Sequence, residues 1–221
     1  MDIEKAVKER RSIRMFKPEE VPREIIREIL DEARWAPSWG NTQPWELYVV
    51  TGETLERFKK ANRQKCMDGD VHSSEIPMPE VWPEILKKRY IGVGKSVLTS
   101  LSIAREDVNA RNEYYGDMFN LFGAPCMILA CLAKSLNIEY AMLDVGLIMQ
   151  TICLLAHDKG LGTCMLAGSV RYPGLLRDML PIPEDRFIVI GTGMGYPDWD
   201  SPVNKFERKR VDLDEIATWV S

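Results

Sequence analysis

The chain has 221 residues, of which 45% are hydrophobic, and its formal net charge at pH 7 is −4. This length and composition are those of a globular protein with a sizeable core, so we expect a single domain over residues 1–221. The acidic balance excludes a general nucleic-acid-binding protein, which normally carries a surplus of basic residues.

The five cysteines are odd in number and include no C-x-x-C pair, which excludes a disulfide framework and a paired-cysteine zinc site. Four of them lie in apolar runs and are predicted to be reduced core residues: Cys126, Cys131, Cys153 and Cys164. The N-terminus shows no charged-then-apolar leader, so a cytoplasmic location is expected. Neither a nucleic acid nor a membrane is expected as a partner.

The predicted elements begin with a short amphipathic helix over residues 2–10. It leads into Arg10–Arg14, a segment with three guanidiniums and one hydroxyl. A guanidinium donates two parallel hydrogen bonds to a phosphate or carboxylate and keeps its charge at any useful pH. The segment can therefore hold a dianion, although a solvated basic helix end is the alternative. A second basic cluster, Arg208–Arg210, could converge on the same anion after folding.

A helix that ends before Pro37 is predicted next, followed by a loop over residues 38–44 and a strand over Trp45–Val50. In the loop, Asn41 and Gln43 each offer a donor and an acceptor, which suits the edge of a heteroaromatic ring. The alternative is a plain helix-to-strand turn that uses Asn and Gly for their backbone tolerance.

Three further helices are predicted from the spacing of apolar residues, over 53–67, 84–103 and 107–121. Residues 68–82 are the least regular stretch of the chain, and their length favours a lid or binding loop. We expect residues 68–120 to form a variable lid and helical region. Gly92–Ser96 imitates half of a phosphate-binding loop but lacks the first glycine and the preceding strand, so no such loop is predicted.

Three buried strands are predicted in the second half, over residues 126–133, 163–167 and 186–191, with a short helix over 171–180. The segment 140–158 is predicted to be a buried central helix, because it is apolar nearly all round but short for a membrane span. Gly191–Gly195 is followed by Tyr-Pro-Asp where a dinucleotide-binding helix would begin, so these glycines are predicted to allow close packing instead. The C-terminal extension, residues 199–221, ends in apolar side chains that need a surface to lie on.

Acid-base and nucleophilic machinery is missing from the sequence. The two histidines, His72 and His157, do not accompany a plausible nucleophile, and no metal-ligand spacing occurs. If the protein is an enzyme, a bound cofactor therefore carries the reactivity while the protein orients it.

The chain resembles the nitroreductase family of FMN flavoproteins through five motifs whose order and spacing are together specific. They are RRSIR at 10–14, PSWGNTQPW at 37–45, GLGTC at 160–164, GYPD at 195–198 and RKR at 208–210. The resemblance implies an α+β fold with a mixed, mainly antiparallel sheet flanked by helices. It also implies a homodimer with FMN at the interface, in which the C-terminal tail crosses to the partner and adds a strand there.

Site residues follow from the resemblance. It implies that the FMN phosphate and ribityl chain are held by Arg10, Ser12, Arg14, Arg208 and Arg210, with Arg11 contributing through its backbone. Contacts to the flavin are implied from the loop at 37–43, namely Pro37, Ser38, Trp39 and Asn41 of the partner subunit, together with Gln43. The backbone at Ala167 and Gly168 is implied to donate a hydrogen bond to the flavin N5, with Ala167 standing where several relatives have an acidic residue.

The resemblance also implies an activity: transfer of hydride from NADH or NADPH through FMN to nitroaromatic, quinone or similar planar acceptors by a ping-pong mechanism. Trp39, Trp82 and Phe119 are candidates for the wall of the substrate pocket, although Phe119 fits a core position equally well. Two alternatives stay open at this point. One is a flavin-binding sensor or carrier without turnover, and the other is a specialised dehalogenase or oxidase on the same scaffold.

Overall fold

The computed structural model describes residues 2–221 and has an α+β architecture, in which helices flank a four-stranded sheet. The helices are α1 (Ile3–Glu9), α2 (Arg23–Ala33), α3 (Gly52–Met67), α4 (Glu84–Ser100), α5 (Val108–Phe119), α6 (Ile138–Asp158) and α7 (Pro173–Met179). The strands are β1 (Trp45–Thr51), β2 (Cys126–Ala133), β3 (Gly162–Leu166) and β4 (Arg186–Gly195). The predicted order of helices and strands along the chain is thus confirmed, with the ends of the elements shifted by a few residues.

The sheet has the order β1-β2-β4-β3, and neighbouring strands run antiparallel. A parallel component comes from an isolated bridge between Ser12 and Thr163, which attaches the N-terminal segment beside β3. The predicted α+β fold with a mainly antiparallel sheet is therefore confirmed.

Strand β2 separates two hydrophobic clusters. Its even-numbered residues from Cys126 to Leu132 pack with α2 and α6, and its odd-numbered residues pack with α3 and α7. This division follows from the two-residue side-chain period of a strand. Four of the five cysteines are buried, as the sequence predicted, and all five are free thiols.

Local sequence explains where the helices begin. The side chains of Asp2, Asp107 and Asn137 accept hydrogen bonds from backbone N–H groups in the first turns of α1, α5 and α6. These bonds satisfy donors that a helix N-terminus leaves without an intrahelical partner.

Helix α6 differs from its prediction as a fully buried helix. Its inner face lies in the core, but Tyr140, Leu143 and Leu147 on its outer face are exposed, with Leu143 64% and Leu147 43% accessible. With a mean hydropathy of 1.6, α6 is long and apolar enough to cross a membrane by length and composition alone. Core helices pass the same test, and the inner face of α6 is buried in the core. Periodicity revealed an apolar helix but not which side the chain itself covers.

The irregular segment after α3 is attached to the protein body over its first part. Ser73 N–H donates to the Arg171 carbonyl at 3.0 Å, and the Glu75 carboxylate accepts from Ile188 N–H at 2.7 Å and lies 3.0 Å from Arg177. In contrast, most of α4 is exposed, with Val97 as its buried residue. Within the region expected to form a variable lid, residues 73–75 are therefore attached to the protein body, while most of α4 is exposed.

Strand β4 continues four residues beyond its predicted end at Gly191. Its glycines lie close to side chains of neighbouring segments. A Cβ on Gly191 would lie 2.3 Å from Ser169 Oγ, and one on Gly195 would lie 2.5 Å from Pro125 Cδ. These distances give a packing reason for the glycines, because a side chain at either position would collide with its neighbour.

Replacing Gly191 by alanine is expected to lower the free energy of unfolding by about 1–3 kcal/mol, because Ser169 is buried and cannot withdraw without losing its bond to the Leu166 carbonyl. The same change at Gly92 in α4 meets nothing within 4 Å and is expected to stabilise by about 0.5–1 kcal/mol. Urea unfolding of both variants measures the difference. An unchanged midpoint for Gly191→Ala would contradict the close packing.

Candidate active site

The N-terminal segment after α1 is held between β3 and the C-terminal chain. Ile13 N–H donates to the Thr163 carbonyl at 2.9 Å, and Lys17 N–H donates to the Tyr196 carbonyl at 2.9 Å. A Cβ on Gly162 would lie 2.4 Å from Ile13 Cγ1, so the segment can lie this close only because residue 162 is glycine. The GLGTC motif therefore has a packing role at the start of β3.

A buried asparagine joins the two ends of the chain. The Asn204 side-chain oxygen accepts from Arg14 N–H at 2.7 Å, and its amide donates to the carbonyls of Met15 and Asp198, each at 2.8 Å. Asn204 is fully buried. It fixes the backbone from which the Arg14 side chain extends, and nothing in the sequence pattern had singled it out.

The two basic clusters converge. The Arg208 guanidinium donates to the Arg10 carbonyl and, at 2.5 Å, to the Lys8 carbonyl, while the Arg11 guanidinium donates to the Phe206 carbonyl. The ring of Phe206 lies 5.4 Å from Arg11 Cζ and 5.7 Å from Arg14 Cζ. We call the convergent guanidiniums the arginine clamp: Arg10, Arg11, Arg14, Arg208 and Arg210. Because α1 ends at Glu9, they are not simply the solvated last turn of that helix.

The arginine clamp contains no ion pair with a described carboxylate, and the Arg10 Nε is buried without a hydrogen-bond partner among residues 2–221. Burial, and then the nearby charges of Arg208 and Arg14, lower the pKa of Arg11. Burial, and then Arg210 and Arg10, lower the pKa of Arg208. The lowered pKa values show that these positive charges repel one another, and a bound anion would offset this repulsion. The guanidinium donors suit a phosphate.

A cavity of about 1270 Å³ extends from Arg14, the one clamp residue that lines it, to the end of β3, whereas Arg10 and Arg11 line a separate small pocket beside His157. Ser12, Arg14 and Ala167 all line it, so the structure places these three predicted site residues around one space. Trp82 also lines the cavity and stacks on Tyr90, with ring centroids 6.1 Å apart. Phe119 is buried beside His72 and Tyr172, away from the cavity lining, which favours its interpretation as a core residue.

The turn at Ala167–Gly168 is held by Asn62, a residue that the sequence analysis missed. Asn62 is fully buried, and its Nδ2 donates to the Gly168 carbonyl at 3.0 Å and to the Phe119 carbonyl at 2.7 Å. The signal was available in the helical spacing, because Asn62 follows Leu55 and Phe58 on the inward face of α3. A polar residue at a core position of a helix indicates a specific partner.

Tyr114 is a second residue that sequence reasoning missed. It lines the cavity, and its ring centroid lies 5.7 Å from that of Phe122. Burial raises the pKa of Tyr114 to about 12, against the opposing effect of the nearby Arg14. Its phenol therefore remains a hydrogen-bond donor at neutral pH.

Replacing Asn62 by leucine is expected to destabilise the fold by about 1–3 kcal/mol or more, because two buried carbonyls lose their donor. Gln64→Leu on the same helix removes only an exposed bond to Asp68 and is expected to change stability by no more than about 0.5 kcal/mol. Thermal unfolding of the two variants makes the comparison. Equal stabilities would show that Asn62 does not hold the turn.

The loop at 37–43 does not line the large cavity and lies against α6 instead. Trp39 N–H donates to the Asp144 carboxylate at 3.0 Å, and the Trp39 ring lies 6.5 Å from that of Tyr140. The loop is strained, since Asn41 and Gln43 have φ angles of 56° and 48°. Asparagine adopts this region readily, which fits the alternative of a plain turn, whereas glutamine rarely does, so the strain lies at Gln43.

Helix α6 separates the loop from the clamp. Asp144 anchors the loop near one end, and His157 lies beside Arg10 and Arg11 near the other. Thirteen residues of α-helix span about 20 Å. Within a single chain, the loop therefore does not bring its predicted site residues to the clamp; these are Pro37, Ser38, Trp39, Asn41 and Gln43. Trp39 is 71% exposed and does not line the large cavity of its own chain.

Comparison with known proteins places this arrangement in a family. The model of the nitroreductase family matches residues 7–196. The chain is 33% identical to a chloronitrobenzene nitroreductase of Comamonas testosteroni over 226 residues, covering 99% of this chain and 96% of the relative. It is 31% identical to a 4-nitrobenzoate reductase of Nocardioides sp. (strain LMS-CY) over 222 residues, covering 97% and 88%.

The solved structure of an FMN- and NADPH-dependent nitroreductase NfnB from Sphigopyxis sp. strain HMH has a TM-score of 0.95 with this fold. It is 30% identical in sequence, and each chain is covered completely. With the family model matching most of its length and the whole fold shared, the chain belongs to the nitroreductase family.

Proposed function

We propose that the protein is an FMN-dependent oxidoreductase that takes hydride from NADH or NADPH and reduces nitroaromatic, quinone or similar planar acceptors. The observation that carries the proposal is the arginine clamp without acidic partners, whose member Arg14 lines the same cavity as Ala167. Family membership and relatives named for nitroaromatic reduction support it. The absence of acid-base machinery fits chemistry that a cofactor supplies.

The residues present fit FMN. The phosphate and ribityl chain would be held by Arg10, Ser12, Arg14, Arg208 and Arg210. Arg11 would contribute its backbone, while its guanidinium donates to the Phe206 carbonyl. When bound, FMN supplies a ring that accepts a hydride and passes two electrons to an acceptor. The clamp would hold the dianionic end, and Ser12, Arg14 and Ala167 line the cavity that would be available to the rest of the group.

The Ala167–Gly168 turn would orient the reacting end of the flavin. Asn62 holds the Gly168 carbonyl from the core side, and Ala167 lines the cavity. We propose that one of these N–H groups donates to the flavin N5. A backbone donor does not depend on side-chain identity, so Ala167 can stand where relatives carry an acidic residue.

A homodimer would complete the site. The exposed stripe of α6 (Tyr140, Leu143, Leu147 and the half-buried Leu154) follows helical spacing along one face. If two copies pair these stripes antiparallel about a twofold axis near Leu147, Tyr140 of one copy lies opposite Leu154 of the other. This arrangement brings the loop at 37–43 of one copy to the clamp of the other, where it would contact the flavin through Trp39 and Asn41.

The C-terminal extension fits the same dimer. Leu213, Ile216 and Trp219 are exposed in the single chain, and no strand of the described residues includes them. The extension is expected to cross from residue 199, but its first part packs on its own chain through the buried Asn204 and through Arg208. We propose that the end of the extension, with Ile216 and Trp219, lies across the partner subunit and adds a strand there. The reduced cysteines fit a cytoplasmic location.

Steady-state kinetics test the activity and its mechanism. Purified protein with FMN is expected to oxidise NADH or NADPH over many turnovers when 4-nitrobenzoate or a quinone is present. Double-reciprocal plots at several acceptor concentrations are expected to be parallel, as in a ping-pong mechanism. A single turnover per flavin would instead identify a carrier, and intersecting lines would exclude the ping-pong order.

A further inference from the structure

The large cavity carries more positive charge than a cofactor phosphate requires. No aspartate or glutamate lines it, whereas five cationic residues do: Arg14, Arg89, Lys95, Arg105 and Arg111. Arg14 belongs to the arginine clamp, and Arg89 lies 3.0 Å from the Glu215 carboxylate. The remaining three form no ion pair with a residue that the structure describes, and we call Lys95, Arg105 and Arg111 the cavity cations. On a chain with a net charge of −4, this is a local concentration of charge.

Among the cavity cations, Arg111 is the one that α5 carries. It lies on one face of α5 with Tyr114, Tyr115 and Met118, and all four line the cavity at helical spacing. At the other end of this face, Met118 contacts Gly168, where a Cβ would lie 3.6 Å from Met118 Cγ. Seven residues of helix place Arg111 about 10 Å along α5 from that contact. A benzene ring with substituents at opposite ends fits within this distance.

The Arg111 side chain is held in place but not fully bonded. Its Nη1 donates to the Arg105 carbonyl at 3.0 Å, while its Nε is buried without a partner among residues 2–221. Buried side-chain donors in folded proteins nearly always have a partner. A carboxylate or phosphate accepts two parallel hydrogen bonds from a guanidinium, and so matches the free donors of Arg111.

We propose that Arg111, with Lys95 and Arg105 beside it, binds an anionic group on the ligand that reacts with the flavin. The anion is either the carboxylate of a nitroaromatic acid or the 2'-phosphate of NADPH. This inference rests on the proposed function and deepens it, because it makes the protein select charged ligands over uncharged ones of the same shape. Tyr114 and Tyr115 form the aromatic wall between this anion site and the Ala167–Gly168 turn.

The test measures the two half-reactions separately by stopped-flow absorbance on the holoenzyme. Protein reduced with dithionite is mixed with 4-nitrobenzoate or nitrobenzene, and oxidised protein is mixed with NADPH or NADH. The variants are Arg111→Gln, the charge-conserving Arg111→Lys, and Lys88→Gln, which removes the same charge from α4 outside the cavity lining. Because each variant is compared on two ligands, a general folding defect cancels from the ratio.

For Arg111→Gln, we expect the preference for 4-nitrobenzoate over nitrobenzene to fall about tenfold or more if the anion is a carboxylate. The preference for NADPH over NADH falls instead if the anion is the phosphate. Arg111→Lys keeps the charge but loses the two parallel donors, so it should retain only part of the preference, and Lys88→Gln should retain all of it. Unchanged ratios in both half-reactions would overturn the anion site while leaving the proposed function intact. If reduced wild-type protein transfers electrons to neither acceptor, the proposed function fails and the inference with it.

Discussion

Replacing Arg208 by glutamate is expected to remove FMN from the protein. The Arg208 guanidinium reaches the carbonyls of Arg10 and Lys8 and so links the two ends of the chain that form the clamp. Losing a charge-assisted contact to a phosphate costs about 1.5–3 kcal/mol, which weakens binding about 10- to 100-fold before any repulsion is counted. The introduced carboxylate then repels both the phosphate and the Arg10 carbonyl. Titration of the apoprotein with FMN, followed by quenching of flavin fluorescence, measures the dissociation constant.

The neighbouring Lys209→Glu variant is the matched control, because it makes the same change of charge at an exposed side chain outside the clamp. We expect it to keep FMN with at most a small loss of affinity from the long-range charge. Thermal unfolding of both apoproteins excludes a general folding defect. Equal FMN affinity in the two variants would show that Arg208 does not contact the phosphate.

The double variant Leu143→Arg/Leu147→Arg is expected to yield a folded monomer without FMN, although every clamp residue is intact. Both leucines are exposed in the single chain, so the fold should tolerate the change. In the proposed dimer, each leucine buried at the interface contributes about 1.5–3 kcal/mol, and four are lost per dimer, or about 6–12 kcal/mol in total. The arginines also introduce like charges across the twofold axis.

Light scattering coupled to size-exclusion chromatography gives the molar mass, and a monomer has a mass of 25.3 kDa. Val71→Arg is the control for an added surface charge, because Val71 is 90% exposed and lies in the irregular segment away from α6. It should remain dimeric and yellow. A double variant that is still a dimer, or a monomer that still retains FMN, would exclude the proposed interface.

Local periodicity was enough to predict the helices and strands, because each is stabilised by an apolar face of regular spacing. It could not show which apolar faces the chain covers itself. Helix α6 is apolar on both sides, but only its inner side is packed by α2 and the sheet. In the proposed dimer, a second molecule covers Leu143 and Leu147, and no single-chain pattern encodes the position of that molecule.

The candidate site was predictable where charge and motif order carry the information. Arg10–Arg14 and Arg208–Arg210 do converge, and Ala167 does lie on the cavity that Ser12 lines. The supporting residues Asn62 and Asn204 were not found, because each acts on carbonyl groups that are distant in sequence. Such bonds become visible only once the backbone has been placed.

The central claim is that one flavin site is built from two chains, and complementation between two inactive variants tests it most directly. Arg208→Glu breaks the clamp, and Trp39→Glu places a carboxylate in the partner loop; alone, each should purify without FMN. In a mixed dimer isolated with two different affinity tags, one site combines an intact clamp with an intact loop. We predict one FMN per mixed dimer, read from the absorbance spectrum. Mixed dimers without flavin, or Trp39→Glu dimers that keep a full complement, would contradict the account.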